Sequence, residues 1–152
     1  MSTRREARLW AVQLLFQRDF NAGDLAEALD VFWSERKAGE KARTFTEGLV
    51  RGVELRKAEL DEHLQRYADN WDLKRMGGVD RNVMRVALYE MLHRDDIPPV
   101  VSINEAVELA KDLSSDESGK FVNGILDRIR KDLKRPARAA AVVGAIKPST
   151  QE

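Results

Sequence analysis

Few residues of this 152-residue chain have the types and spacing that catalysis needs. The two histidines, His63 and His93, lie far apart in the chain and in no metal-ligand spacing. Cysteine is absent, which removes disulfides, thiolate metal sites and a cysteine nucleophile together. The acidic pairs Asp61-Glu62 and Asp95-Asp96 are sequence neighbours, so their carboxyls point different ways and make poor acid–base couples. Gly77-Gly78 has no Lys-Ser/Thr after it and reads as a helix breaker, not a phosphate loop. Ser102 and Ser118 have no nearby histidine. The expectation is a binding protein with no metal and no cofactor. An enzyme with an unrecognised site would have to show a deep polar pocket with converging titratable groups.

The residues suited to binding are cationic. Arg4, Arg5 and Arg8 crowd the N-terminus, and one helical turn separates Arg4 from Arg8, so those two share a face and can reach successive phosphates. Guanidinium groups also stack on bases and form forked hydrogen bonds. Three cations at a helix start oppose the helix dipole, a small cost that a function should offset. The formal net charge is zero, yet its distribution is uneven: residues 1–22 carry +2, residues 118–152 carry +5 and the middle holds −7. Basic ends can attract phosphate, while the acidic middle suits a basic protein partner.

The elements that must position these residues read almost entirely as helix. Thr3 with Glu6 forms a capping box ahead of a stripe of Leu9, Val12, Phe16 and Phe20. Asn21-Ala22-Gly23 ends that helix, and Asp24 with Glu27 opens a second that runs to about Lys37 on Leu25, Leu29 and Phe32. A long third helix is expected from about Lys41 to Asp69, with Phe45, Leu49, Val53, Leu60, Leu64 and Tyr67 facing inward. Residues Asn70 to Met76 suggest a short helix. Asp80 to His93 is apolar around most of its circumference, which places it at the centre of a bundle. After the stiff turn at Pro98-Pro99, Ser102 with Glu105 reads as a third capping box, with a staple from Val101 to Ala106. The last helix carries Val122, Ile125, Leu126, Ile129 and Leu133 and stops by Pro136. No strand pattern competes, so the fold class is all-α, with about seven helices. One helical domain over residues 1–136 is expected, divided into a three-helix half at 3–69 and a second half at 70–135, with a disordered tail at 137–152. No apolar run approaches the roughly 20 residues that span a bilayer, and the N-terminus lacks a secretory h-region. A reducing cytoplasm is the expected compartment.

Several stretches are distinctive in combination: Arg4-Arg5-Glu6-Ala7-Arg8 leading into Ala11 to Phe16, Val79-Asp80-Arg81 with Arg85 to Leu92, Ile103 to Lys111, and Lys120 to Asp127. In this order and spacing, INEAVELAK and KFVNGILD resemble the NusB family of transcription antitermination factors over about residues 3–134.

The resemblance implies two perpendicular helical subdomains. It implies a non-catalytic adaptor that pairs with the ribosomal protein NusE, binds the boxA sequence of nascent RNA, and acts with other Nus factors on RNA polymerase, notably in ribosomal RNA operons. Some relatives form homodimers that bury the RNA face. The RNA-binding residues it implies here are Arg4, Arg5, Arg8, Phe16, Lys120 and Phe121. Helical spacing aligns Phe121 with Ile125 for core packing, whereas the resemblance implies stacking on an unpaired base. Phe16 stands where the family often has tyrosine, so only stacking remains to it. Arg81, Glu90 and Glu105 are the candidate NusE contacts, with Glu105 alternatively a cap. Asn123-Gly124 is odd inside a helix, and close approach of two backbones is its expected cause. A second reading is an RNA-targeting module like the N-terminal domain of certain ribosomal RNA methyltransferases.

Overall fold

The computed structural model describes residues 3–68 and 76–133, with side chains from Arg4 onward. Among the described residues there are seven helices and no strand: α1 (Thr3–Phe20), α2 (Leu25–Ser34), α3 (Glu40–Leu55), α4 (Lys57–Tyr67), α5 (Gly78–His93), α6 (Pro99–Leu113) and α7 (Asp116–Asp132). The expected helix at 70–76, the tail at 137–152 and the side chain of the Thr3 cap lie outside the described residues.

Local chemistry sets most boundaries. α1 contains neither glycine nor proline and buries Ala7, Trp10, Ala11, Val12, Leu14 and Leu15. Asp24 caps α2 by accepting a hydrogen bond from the Glu27 amide at 3.2 Å, as its spacing suggests. α2 stops at Ser34, short of Lys37. Ser115 caps α7 by accepting from the Ser118 amide at 3.1 Å. Asp116 and Glu117 in the first turn of α7, with Arg130 and Lys131 in its last, complement the helix dipole.

Three expectations are corrected. The long third helix is two helices that break at Arg56, because α3 packs on α1 and α5 while α4 turns to pack on α5 and α7. Gly52, one turn before the break, lies directly under the Tyr89 ring, and a Cβ there would overlap the ring. Helix α6 begins at Pro99, a turn before Ser102, since proline at the first helical position sacrifices no hydrogen bond. Ser102 is therefore a buried residue inside the helix and not its cap, and Val101 is exposed, forming no staple. Finally, Phe16 and Phe20 do not belong to the buried stripe of α1: they are 36% and 78% exposed. α6, which flanks this side of α1 as far as the cleft between Leu9 and Leu113, ends at Leu113, so α1 continues past its cover.

α5 is the hub. It touches α1, α3 and α4 from the earlier part of the chain and α6 and α7 from the later part. Val83, Met84, Val86, Ala87, Leu88 and Met91 are all buried on it, as its all-round apolar pattern requires. It also buries Asn82, Arg85 and Glu90, each with a partner from another element.

Candidate nucleic-acid interface

The three N-terminal arginines separate into two environments. Arg4 and Arg8 share a face, as one-turn spacing dictates, but that face closes on α3 and α5. Arg8 is only 5% exposed and donates to both oxygens of Glu90, from Nε at 2.7 Å and from Nη2 at 3.0 Å. Ser102 Oγ completes the carboxylate by donating at 2.6 Å. This corrects two expectations. Arg8 is held by a buried carboxylate and does not present its fork to phosphate, and Glu90, 1% exposed, lies in the core and not on a surface that a partner could touch. Both were misplaced for one reason: spacing along a helix shows which residues share a face, but not what covers it.

Arg4 stays half-exposed, 4.6 Å from the Phe45 ring centroid. Arg94 stands over the same ring at 5.0 Å and holds Asp96 with two bonds of 3.0 Å. These bonds keep the Asp96 carboxyl below the usual aspartate range. Arg4, Phe45, Arg94 and Lys41 line an open cleft of about 610 Å³.

Arg5 lies on the other side of α1, beside α6. Its guanidinium donates to both oxygens of Glu105 at 2.9 and 2.8 Å, while the side chain remains more than half exposed. Those bonds hold Glu105 below the usual glutamate range. Glu105 is thus a partner of Arg5 and not a cap. Because its folded pKa is depressed, its stabilising contribution is present above the unfolded glutamate value and lost as pH falls through the folded one. The Glu105→Gln variant is expected to lose less stability than the parent between about pH 5 and 3, which melting curves across that range would check.

Further along the same stripe of α1 come Leu9, at the floor of a cleft with Leu109 and Leu113, and then Phe16 and Phe20. The Phe16 ring lies on the start of α5, where a Cβ at Gly78 would come within 2.8 Å of its Cε1. Two residues on, Asp80 accepts a hydrogen bond from Ser118 at 3.1 Å, tying the start of α7 to this end of α5. Burial raises the Asp80 carboxyl above its usual range, and the Ser118 bond partly opposes that. Lys120 is almost fully exposed, 3.7 Å from Glu117, and Phe121 packs half-buried against the core. Gly124 is exposed with nothing near an added Cβ, so close helix approach is not its reason. That approach occurs instead at Gly119, under the Lys111 side chain. Arg81 is mostly buried, donating to the Met76 carbonyl at 2.9 Å and reaching Asp19 at 3.4 Å.

Residue types alone did not reveal the polar network at the start of α5. Arg85 donates to both oxygens of Asp61 at 2.7 and 2.8 Å, and Asn82 donates to Asp19 at 2.8 Å. A signal was available: a charged residue in a helix apolar all round must have a partner, because an isolated buried charge is prohibitively costly. No group of His, Asp and Glu among the described residues could hold a metal ion.

Among the described residues the chain is all-helical, with Arg4 and Arg5 exposed at the start of α1 and Phe16 and Phe20 exposed at its end. The comparisons with known proteins give the family. The model of the NusB family matches residues 5–131, and the chain belongs to that family, which is one of transcription antitermination factors and not of enzymes. Its sequence is 46% identical over 136 residues to the transcription antitermination protein NusB of Desulfosudis oleivorans, covering 88% of each chain. It is 43% identical over 140 residues to that of Myxococcus xanthus, covering 90% of this chain and 100% of the relative. The fold matches a crystal form of T. maritima NusB with a TM-score of 0.76 at 39% identity, over 85% of this chain and 91% of that one. It also matches a structure of the antitermination factors NusB and NusE in complex with dsRNA, with a TM-score of 0.79 at 25% identity, over 88% and 99%. These matches run nearly the whole length of the relatives, which leaves the methyltransferase-module reading without support.

Proposed function

We propose that this protein binds boxA RNA together with NusE and, with other Nus factors, lets RNA polymerase pass terminators, notably in ribosomal RNA operons. The observation that carries the reading is that α1 leaves the Arg5 guanidinium exposed near its start and the Phe16 ring partly exposed near its end, on the same side of the helix. Arg4 stands beside it, and the Asp80–Ser118 bond brings up the helix that carries Lys120 and Phe121. Asp96, 3.5 Å from Arg4 and half exposed, already has Arg94 as a partner and can release Arg4 to a phosphate. The reading gains support from the relative that was solved with NusE and dsRNA. Arg8 and Glu90 act in it as the buried pair that fixes α1 against α5. Arg81 and Glu105 stay as candidate NusE contacts, and the compartment is the cytoplasm, where transcription proceeds. No helix among the described residues is long and apolar enough to cross a membrane.

The test is a fluorescence-anisotropy titration of boxA RNA and a scrambled control, with and without NusE, across a salt series. Preference for boxA that strengthens with NusE is expected. The combined Arg4→Ala/Arg5→Ala variant should bind more weakly and flatten the log–log salt slope by about 0.7 for each phosphate that is no longer neutralised. Equal binding of boxA and control under both conditions would overturn the reading.

A further inference from the structure

Between α1 and α6 lies a cleft of about 350 Å³ whose apolar floor is Leu9, Leu109 and Leu113. Leu9 and Leu113 stay partly exposed there. The rim is acidic: Glu6 comes from α1, and Glu108 and Asp112 come from α6. The cations nearby are already engaged. Arg5 gives its fork to Glu105, Arg8 is buried on Glu90, and Lys111 stands 3.7 Å from Glu108. Glu6 and Asp112 form no ion pair among the described residues. An apolar floor under carboxylates in excess complements a segment that is both aliphatic and basic.

The chain itself carries such a segment. Residues 134–152 hold Lys134, Arg135, Arg138 and Lys147 against one acidic side chain, Glu152. Arg138 and Lys147 flank the aliphatic residues Val142, Val143 and Ile146. The way back to the cleft is short. α6 leads into α7 through Ser114 and Ser115, so α7 starts at the Leu113 end of the cleft and runs away from it for 17 residues. At 1.5 Å per residue that helix is about 25 Å long. Eight extended residues span about 27 Å, so 134–141 can retrace α7 and bring Val142 to Ile146 to the leucines. Attachment to the same chain gives the segment an effective concentration near the millimolar range, so a contact of modest intrinsic affinity is closed most of the time. A separate molecule at micromolar concentration has no such advantage.

We infer that residues 134–152 fold back over the cleft between α1 and α6, with Val142, Val143 and Ile146 on the leucine floor and the flanking cations against Glu6, Glu108 and Asp112. Composition alone suggests a free tail, and the cleft gives that tail a seat. The inference does not rest on RNA binding. A seated tail sets its cations beside Arg5 and offsets the carboxylates of the rim.

The experiment uses the full chain alone. Because the chain has no cysteine, Ser149→Cys takes a single nitroxide label outside the aliphatic stretch. The methyl signals of Leu9, Leu109 and Leu113 are expected to lose about half or more of the intensity that they show once the label is reduced. Reversing the rim with Glu108→Lys/Asp112→Lys should restore most of that intensity. Salt at about 1 M should do the same, since it screens charges beyond roughly 3 Å. Both rim positions are exposed, so the reversed variant should melt close to the parent. Leucine signals that ignore the label would overturn the inference, as would equal broadening in the reversed variant. Broadening of the same size between a labelled copy and a separate isotope-enriched copy would assign the cleft to the tail of a second molecule and overturn it too.

Discussion

Glu90→Ala is expected to destabilise the protein by about 3–5 kcal/mol, although Glu90 is one acidic residue among 26. The carboxylate is buried and accepts hydrogen bonds from Arg8 and from Ser102. Its removal leaves the Arg8 guanidinium in the core with no counter-charge beyond Glu105, 4.0 Å from Nη1. The attraction within a buried pair scarcely exceeds what it costs to dehydrate both ions, so the loss reflects an orphaned charge and not a strong bond. The combined variant Arg8→Met/Glu90→Leu/Ser102→Ala should therefore recover most of the deficit. For a chain of this size the single variant corresponds to a fall of roughly 10 °C in melting temperature. A fall of less than about 3 °C would mean that the pair is open to water in solution. RNA affinity at a temperature where the variant is folded separates this stabilising role from a phosphate contact.

Leu88→Ala is expected to cost about 2–5 kcal/mol, the range for deleting a leucine side chain from a packed interior. Leu88 is wholly buried on α5, the helix that every other helix except α2 packs against. A cavity there cannot collapse easily, because the surrounding helices also hold one another. The contrasting substitution is Leu55→Ala at the end of α3, which changes a residue 81% exposed and should shift stability by no more than about 0.5 kcal/mol. Urea unfolding of both variants checks the contrast. The Leu88 midpoint should fall with little change of slope. Similar effects at the two positions would refute the assignment of α5 as the hub.

The all-helical class and the central role of α5 were legible in the sequence because they depend on local periodicity and on the apolar fraction of each face. Asp24 could be read as a cap for the same reason: the bond to the Glu27 amide closes within four residues. The break at Arg56 could not, since no proline stands there and what separates the two helices is their different packing partners, α1 and α5 for α3, α5 and α7 for α4. Ser102 shows how one pattern serves two ends. Its Ser-x-x-Glu spacing fits a cap, yet Pro99 starts the helix a turn earlier and the hydroxyl serves Glu90, twelve residues back. Of the site, the resemblance supplied candidate residues but not their environments. Arg5 and Arg8 are three apart in one helix, and only the partners 100 and 82 residues away decide that one is open and the other sealed.

The position of α5 bears on how this molecule can come apart. Helices from both the earlier and later parts of the chain bury their apolar faces against α5, so neither part encloses an interior of its own without it. The protein is therefore one cooperative unit, and α1, which carries Arg5 and Phe20, cannot loosen without disturbing α6 and α7. A disturbance of the buried face of α1 is passed to α5 and from there to α3, α4, α6 and α7.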